Sequence, residues 1–453
     1  MDRLEQKIID CIEQHREEII AAGRDIFTHA EMGYKEYRTA QIVADKLRQL
    51  GIEPQTGLAV TGVKGYLKPQ GSGPVVALIG ELDALPIPAH PDVNPETGAS
   101  HCCGHNAQIA GLLGAAIALT DPEIVQALDG NVAFMAAPAE EFVDTEFKVG
   151  LIQNGTIRYC GGKSELIRIG AFDDIDIAVG HHITPNIPGY LLANGTTNGF
   201  VNKVVTFRGK SAHAAGSPHT GVDALNAAML ALHAIDLQRE TFRDEDSVRI
   251  HSFMPRAGTA INVIAEETCV ESSVRAKNIR AMQDASRKYD RCIRAGAIGL
   301  GCTAEIVTVP GYLPTVPLDD PSLLTGVLQD LSAEEKTRGR DYPVSFHNRD
   351  FHSGGSTDFG EVSSIMPLYQ FNTGGYTGEL HNSNVRVTDE QLAYVETAKI
   401  FALTAYRLLK DGAAAAKKTV AEFTPELTRE EYFRFMEENN RTEIYPEPQQ
   451  PGK

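Results

Sequence analysis

Two imidazoles and two thiols occur within five residues, His101 to His105, in the segment H-C-C-G-H-N. One glycine separates Cys103 from His105, so both side chains can turn toward a single cation. The apolar run at 107–119 predicts a helix directly after them, and the amides and dipole at a helix N-terminus favour a thiolate over a thiol. The pair is therefore a candidate metal site. A C-x-H pair alone is equally well explained by a buried thiol beside a surface histidine.

Three apolar runs, each typical of a strand buried on both faces, are followed by titratable side chains. The runs are 74–80, 131–137 and 175–180, and the side chains are Glu81 and Asp83, Glu140 and Glu141, and His181 and His182. Sites in open α/β sheets collect beyond the carboxyl ends of the strands. One of the two adjacent glutamates would ligate a metal, and the other would act as a base on metal-bound water. Only one of the paired histidines faces the site, because neighbouring side chains of an extended chain point to opposite sides.

Two further histidines lie in segments of small and polar residues. His381 occurs in E-L-H-N-S, which follows the segment G-G-S-T-D-F at 354–359. His213 occurs in G-K-S-A-H-A-A-G-S-P-H, whose small residues allow another chain or a ligand to approach closely. A histidine in a loop such as that of His381 is more often an ordinary surface residue. The segment of His213 is equally explained as a strand-to-helix connection with incidental histidines.

One thiolate, three imidazoles and a carboxylate together suit borderline cations such as Zn²⁺ or Mn²⁺. Five ligands on a single ion would leave no open catalytic position. Two ions sharing these ligands would leave one, and a water bridging them would be a strong nucleophile near neutral pH. We therefore expect two divalent metal ions per chain, Zn or Mn, since the softness of the ligands permits both.

The alternation of strands and helices that positions these groups predicts an α/β fold with a mostly parallel sheet. From about residue 197 the order becomes β-α-β-β-α-β, which is that of a ferredoxin-like unit. We predict a second domain inserted into the first. The predicted divisions are a catalytic domain at 1–196 and 312–411, an inserted domain at 197–311, and a helical C-terminal tail at 412–453.

Composition excludes several classes of partner. The 453 residues contain 42 basic and 60 acidic side chains, a net charge of −18, and no stripe rich in Lys or Arg. Nucleic acid and anionic membranes are poor partners for such a surface. The longest apolar stretches are too short to span a bilayer, and the first residues lack the apolar core of a signal peptide. Seven scattered cysteines suit a reducing compartment, so we expect a cytoplasmic protein.

Seven motifs in this order resemble those of the metallo-amidohydrolase and peptidase family that contains aminoacylases and glutamate-releasing carboxypeptidases. The resemblance is to the branch of aminobenzoyl-glutamate hydrolases and auxin-conjugate hydrolases, and it covers about 25–409. The motifs are E-L-D-A-L-P, H-C-C-G-H-N, A-P-A-E-E, G-H-H-I-T-P, G-K-S-A-H-A-A-G-S-P-H, S-T-D-F and L-H-N-S. The resemblance implies a zinc-peptidase-like catalytic domain and an inserted lid domain that forms a homodimer or a higher homo-oligomer.

The resemblance also implies a role for individual residues. The implied metal ligands are Cys103, His105, Glu141, His182 and His381. Glu140 would be the general base, and Asp83 would orient a ligand. His213 would reach the active site of a partner subunit and stabilise the oxyanion, while Asn262 and Arg275 would hold the carboxylate of the substrate. Asn106 and Thr357 replace acidic residues that are common in this branch, and they are expected to alter the charge near the metals.

We expect a metal-dependent amidohydrolase that cleaves the amide of an N-acyl or N-aroyl amino acid, such as an aminobenzoyl-glutamate, or of a dipeptide. Two alternatives remain open at this point. One is a catalytically silent binding protein of the same fold, against which the intact Glu140 argues. The other is a metal-free thiol hydrolase using Cys103 and His105, in which the neighbouring glutamate pair would have no role.

Overall fold

The chain alternates helices and strands, and the structure, a computed structural model, describes residues 1–446 apart from the side chains of residues 145 and 146. The helices are α1 (Arg3–Gln14), α2 (Arg16–Thr28), α3 (Tyr37–Gln49), α4 (His105–Leu119), α5 (Pro122–Ala127), α6 (Thr145–Gln153), α7 (Gly162–Arg168), α8 (Ala224–Leu237), α9 (Ile279–Leu300), α10 (Ser322–Thr337), α11 (Phe359–Ile365), α12 (Glu396–Leu409), α13 (Ala414–Glu422) and α14 (Arg429–Glu438). The strands are β1 (Pro54–Leu58), β2 (Gly62–Tyr66), β3 (Val75–Glu81), β4 (Asn131–Ala137), β5 (Ile177–Ile183), β6 (Tyr190–Ala193), β7 (Thr196–Thr197), β8 (Gly199–Arg208), β9 (Arg249–Ala257), β10 (Glu267–Ala276), β11 (Thr303–Pro310), β12 (Val344–His347), β13 (His352–Ser353), β14 (Leu368–Thr373), β15 (Tyr376–Thr377), β16 (Arg386–Val387) and β17 (Arg441–Tyr445).

These elements form two compact units, each assembled from three segments of the chain. The first unit contains Met1–Gly195, Val316–Phe351 and Glu361–Glu426. The second contains Thr196–Thr315, His352–Gly360 and the described part of Leu427–Lys453. The final residues, 447–453, which belong to the predicted tail, lie outside the described residues.

An eight-stranded sheet forms the centre of the first unit, in the order β1-β2-β4-β3-β5-β14-β6-β12. Its four middle strands, from β4 to β14, run parallel to one another. The pair β6 and β12 is also parallel, whereas the remaining neighbours are antiparallel. The predicted α/β fold with a mostly parallel sheet is thus confirmed.

The three strands predicted from continuous apolar runs are β3, β4 and β5, and they are neighbours in this sheet. Glu81 is paired with Ala137, so the carboxyl ends of β3 and β4 coincide. His181 and His182 lie within the last residues of β5 rather than after it. Because parallel strands end at one edge of a sheet, the polar side chains that follow these runs gather there.

Helix α4 begins at this edge and runs through the core of the first unit. All 15 of its residues are buried, as expected of a helix that is apolar on every side. It packs closely against α12, because a Cβ added at Gly111 would lie 2.3 Å from the Cγ2 atom of Thr397. No helix among the described residues combines the length and the apolar character needed to cross a membrane.

A five-stranded antiparallel sheet forms the second unit, in the order β17-β11-β8-β10-β9. Without β17, the elements follow the predicted order β8-α8-β9-β10-α9-β11 of a ferredoxin-like unit. Helices α8 and α9 pack together where a Cβ at Gly296 would lie 2.5 Å from the carbonyl oxygen of Ala227. The predicted inserted fold is present.

The tail adds a strand to the helices that the sequence predicts there. Helices α13 and α14 are followed by β17, which pairs with β11 along five residues. Arg441 on β17 donates to Asp290, which also binds the buried ammonium group of Lys203 at 2.7 Å. The tail strand thus pairs with the edge of β11, becomes the edge strand of the sheet and completes a buried ion pair.

The close contact at α4 provides a test of the packing. We expect Gly111→Ala to lower the free energy of unfolding by about 1–3 kcal/mol, because the new methyl group overlaps Thr397. Gly150→Ala on α6 is the matched control, because no atom of the described part of the chain lies within 4 Å of its added Cβ. That variant should be stabilised by up to about 1 kcal/mol. Urea unfolding followed by circular dichroism measures both, and equal effects would contradict the close packing.

Candidate metal centre

A left-handed glycine turns the chain between Cys103 and His105. Gly104 has φ 80° and lies directly before α4, where a Cβ would meet the side chain of Ile183 at 2.5 Å. Glycine adopts this backbone without strain, and the absence of a Cβ leaves space for Ile183. The turn thereby holds the thiol and the imidazole at the N-terminus of α4, as the sequence predicts.

Two imidazoles at the site are oriented by hydrogen bonds from their Nδ1 atoms. The Nδ1 atom of His105 lies 2.8 Å from the carbonyl oxygen of Asp83 and 3.3 Å from its Oδ1 atom. The Nδ1 atom of His182 lies 2.8 Å from the carbonyl oxygen of Ile183. When Nδ1 donates in this way, Nε2 carries the free lone pair that binds a metal. The Nε2 atom of His182 lies 3.2 Å from the sulfur of Cys103.

The two histidines of β5 occupy opposite sides of the strand. His181 is fully buried, with Nε2 2.8 Å from the hydroxyl oxygen of Thr373 and its ring 4.9 Å from that of Phe371. His182 instead contacts Cys103. The alternation of side chains along a strand left the choice between these residues open. The structure places His182, and not His181, among the candidate ligands.

The glutamate pair lies on the turn after β4. The backbone amide of Glu141 donates to Oδ2 of Asp83 at 2.9 Å, and its Oε1 atom lies 3.4 Å from Nε2 of His381. Oε2 of Glu140 lies 3.9 Å from Nε2 of His105. His381 is about half exposed, and its backbone amide donates to the carbonyl oxygen of Cys102 at 3.0 Å. The predicted ligands and the predicted base are thus brought together.

Three overlapping groups of side chains at this edge have ligating atoms within 4.8 Å of one another. The groups are Cys103, His105 and His182; Cys103, Glu141 and His381; and Glu81, His105 and Glu140. Among the described residues, Oε1 of Glu141 is buried without a hydrogen-bond partner, and Nε2 of His105 faces the carboxylate of Glu81. Buried acceptors of this kind are costly unless a cation satisfies them, so the residues fit divalent metal ions.

A separate acidic group, Glu13, Glu335 and Glu396, has a similar spacing. The ammonium group of the buried Lys399 donates to all three, at 2.7 Å to Glu335 and 2.8 Å to Glu396. This group therefore has a resident cation of its own. Its role is to bind α10 and α12 together through a buried ion network.

Burial controls the protonation of the candidate ligands. Burial and the charge of Glu141 raise the pKa of Cys103 well above its usual value. The expectation that the helix terminus favours a thiolate is therefore wrong for the protein without a cation, because desolvation outweighs the dipole. Burial, opposed by the charge of Glu81, lowers the pKa of His182 to about 4, so this imidazole is neutral at pH 7.

Glu81, for which the sequence predicts no role of its own, lies inside the site. Its Oε2 atom lies 3.0 Å from Nε2 of His105 and accepts a hydrogen bond from Gln108 at 2.7 Å. The fully buried Lys163 donates to its other oxygen. The position of Glu81 at a strand end was the signal available in the sequence. Nothing local marks Lys163, which is 82 residues away in the chain.

Asn106, directly after His105, makes three hydrogen bonds within the core. Its amide nitrogen donates to the carbonyl oxygen of Gly23 at 3.2 Å and to the hydroxyl of Tyr394 at 3.0 Å. Its amide oxygen accepts from the hydroxyl of Tyr376 at 3.1 Å. The side chain therefore links α4 to α2, to β15 and to Tyr394 within the core, and the expected effect of Asn106 on the charge near the metals stays a prediction. Thr357 lies in the second unit and accepts a hydrogen bond from the amide of Phe359.

In the second unit, His213 and Asn262 are neighbours and both are exposed. The amide of Ala214 donates to the carbonyl oxygen of Asn262 at 2.9 Å, and Nδ1 of His213 accepts from the amide of Gly216 at 3.0 Å. Ile261, beside Asn262, is fully exposed. These three exposed side chains therefore lie close together on the surface of the second unit.

Arg275 lies on β10 in the same unit. Its guanidinium group stacks 4.9 Å from the ring centroid of Phe200 and donates to the hydroxyl of Ser356 at 3.1 Å. These contacts leave further N–H groups of the planar fork to bind an anion.

Residues 77–407 match the sequence profile of peptidase family M20/M25/M40. The chain is 28% identical over 346 residues to thermostable carboxypeptidase 1 of Saccharolobus solfataricus, an alignment that covers 73% of this chain and 81% of the relative. It is 28% identical over 431 residues to an IAA-amino acid hydrolase of Arabidopsis thaliana, with 90% and 89% covered. Its fold is similar to that of a dinuclear metal-binding peptidase of the M20 family from Bacillus subtilis, with a TM-score of 0.63 and 24% identity over 88% of this chain and 99% of that one.

Replacing each histidine of β5 in turn tests the assignment of His182. We expect His182→Ala to lower the bound metal by about one equivalent per chain after reconstitution, because a ligand is lost. His181→Ala is the matched control; it should keep the metal and instead lower the stability by about 2 kcal/mol. Equilibrium dialysis with elemental analysis measures the metal content. Loss of metal only in the His181 variant would reverse the assignment.

Proposed function

The chain belongs to peptidase family M20/M25/M40 and is a hydrolase acting on amide bonds, and we propose that it uses two metal ions to cleave an N-acyl or N-aroyl amino acid or a dipeptide. The observation that carries the proposal is the shared position of Cys103. Its sulfur lies in one group with His105 and His182 and in a second group with Glu141 and His381. A thiolate common to two ligand groups is suited to two ions rather than one.

In this proposal, Cys103, His105 and His182 would hold one ion, and Cys103, Glu141 and His381 would hold the other. Zn²⁺ and Mn²⁺ are both compatible with the thiolate, imidazole and carboxylate donors. Divalent ions bound here would lower the pKa of a water molecule and polarise the carbonyl group of the amide. Asp83 orients two ligands at once, because it accepts from the amide of Glu141 and lies against Nδ1 of His105.

Glu140 is the proposed base. It is buried, it is adjacent in sequence to the ligand Glu141, and its carboxylate faces His105. As water attacks the amide carbon, Glu140 removes one proton from it, and it then delivers that proton to the leaving amine as the C–N bond breaks. A metal-free thiol hydrolase gives this carboxylate no task, and a silent binding protein has no need of it.

The proposed substrate carries a free carboxylate next to the amide. Arg275 and Asn262 are the proposed contacts for that carboxylate, and the guanidinium group of Arg275 has N–H groups to spare. Two relatives, a carboxypeptidase and an IAA-amino acid hydrolase, are named for activities on this class of substrate, which supports the proposal. An aminobenzoyl-glutamate has the same features.

We further propose that the second unit forms a homodimer and supplies His213 to the site of the partner subunit. There the imidazole would donate to the oxyanion formed from the amide carbonyl. The exposed His213, Asn262 and Ile261 form one surface, which supports the idea of a contact with another chain. All seven cysteines are unpaired, which supports a reducing compartment such as the cytoplasm.

Glu140→Gln tests the proposed base. The amide keeps the shape of the side chain but cannot accept the proton, so we expect kcat to fall by about 10²–10⁴-fold with the metal content unchanged. The assay uses N-acyl amino acids, dipeptides and aminobenzoyl-glutamate, together with elemental analysis. Activity that resists chelators and is lost on alkylation of the thiol would instead support the thiol hydrolase. A wild-type protein that binds metal but hydrolyses none of these compounds would support the alternative of a catalytically silent binding protein.

Mixing two inactive variants tests the role of His213. Glu140→Gln and His213→Ala, refolded together, should recover about a quarter of the wild-type activity. The reason is that half of the dimers are mixed and each mixed dimer contains one site with both groups intact. Each variant refolded alone is the control. Absence of recovery in a mixture shown to contain mixed dimers would contradict a contribution from the partner subunit.

A further inference from the structure

The residue immediately before the proposed base has an unusual backbone. Ala139 is buried and has φ 48°, in the left-handed region that residues with a Cβ rarely adopt. Such a conformation costs of the order of 1–3 kcal/mol and persists only when neighbouring groups enforce it. The direction in which Glu140 leaves the turn depends on this residue. The groups that hold Ala139 therefore decide where the carboxylate of Glu140 lies.

One of these groups is the carboxylate of Glu36, which precedes α3 and is 103 residues away in the chain. Glu36 is fully buried. Its Oε1 atom accepts from the backbone amide of Ala139 at 2.8 Å, and its Oε2 atom accepts from the hydroxyl of Thr61 at 2.6 Å. Both carboxylate oxygens are thus occupied, and one of them binds the strained residue directly.

Other contacts fix the same turn from its other sides. The carbonyl oxygen of Ala139 accepts from the amide of Gly162 at 3.1 Å. A Cβ at Gly33 would lie 2.9 Å from Cα of Ala139, so this glycine allows the chains to approach closely. Glu36 and Asp83 therefore form a pair of braces, one on the amide of Ala139 and the other on the amide of Glu141, with Glu140 between them.

We propose that Glu36 is a positioning residue that holds Ala139 in its left-handed conformation and thereby aims Glu140 at the attacking water. The proposal rests on the proposed function of Glu140 as the base. A displacement of about 1 Å at a catalytic group can cost about 10²-fold in rate. Without its acceptor, the amide of Ala139 loses a hydrogen bond, and the strained turn can relax. Glu36 itself does not touch the substrate or the ligands.

Three variants test the proposal. Glu36→Ala removes the acceptor and should lower kcat by about 10–100-fold, with KM within about twofold and the metal content unchanged. Glu36→Gln keeps an amide oxygen for Ala139, and the Thr61 hydroxyl can accept from its amide group, so most of the loss should be rescued. Burial and the charge of Asp83 raise the pKa of Glu36 to about 7, so glutamine resembles a form that the wild-type side chain itself adopts.

Glu335→Ala is the matched control for the loss of a buried carboxylate. Glu335 lies on α10 and binds Lys399. Its removal should lower the stability but leave kcat within about twofold. A Glu36→Ala variant that remains folded and keeps full kcat would overturn the proposal. Equal losses in the alanine and glutamine variants, or loss of metal along with kcat, would also overturn it.

Hydrogen exchange gives a reading that does not depend on activity. In peptides covering residues 136–142, amide exchange should be at least about tenfold faster in Glu36→Ala and close to wild type in Glu36→Gln. Unchanged exchange in Glu36→Ala would overturn the proposal that Glu36 holds this turn. If the wild-type protein hydrolyses no substrate, the proposed function fails, while faster exchange still shows that Glu36 holds the turn. If the wild type is active and neither exchange nor kcat changes, the positioning role alone fails.

Discussion

Four carboxylates are buried together at one edge of the central sheet: Glu81, Asp83, Glu140 and Glu141. Like charges removed from water repel one another and lose their hydration, so such a cluster is stable only when each member has compensating partners. Lys163 and Gln108 satisfy Glu81, and the amide of Glu141 satisfies Asp83. Glu140 and Glu141 lie near the imidazoles of His105 and His381, within the groups of side chains that fit cations. The arrangement of β3, β4, β5 and α4 is the framework that keeps these groups in register.

Two of the site segments are held in strained backbone conformations. Ala139 and His381 both have positive φ, and both donate their backbone amides to fixed acceptors, the carboxylate of Glu36 and the carbonyl oxygen of Cys102. Strain of this kind gathers at functional sites because the surrounding structure can enforce a geometry that the local chain would not choose. The buried Lys148 donates to the carbonyl oxygen of Glu141 at 2.6 Å and also holds this turn. The base and one ligand are therefore held rigid by groups outside their own segments, and Glu36 is 103 residues from the amide that it binds.

The sequence allowed the framework to be predicted better than its supports. Continuous apolar runs identified β3, β4 and β5, and the polar residues at their ends include Glu141 and His182, which the structure brings near Cys103 and His105. Strand β14, L-Y-Q-F-N-T, was missed because Gln370 and Asn372 interrupt the apolar pattern. Glu36 and Lys163 carry no local signal, since their partners are 103 and 82 residues away. The choice between His181 and His182 required the strand register, which composition and spacing do not contain.

Because β17 pairs with β11, the second unit cannot be complete until the residues of β17 have been synthesised. Strand β11 ends at Pro310, and its partner begins only at Arg441. At about 5–20 residues per second, synthesis of the intervening chain takes on the order of 10 s. During that interval the edge of β11 is open, and the buried Lys203 and Asp290 lack Arg441. An unpaired edge strand is a template for pairing with other chains, and this edge is β11 until β17 has been made and β17 afterwards. The consequence specific to this interval is that the buried pair of Lys203 and Asp290 is incomplete.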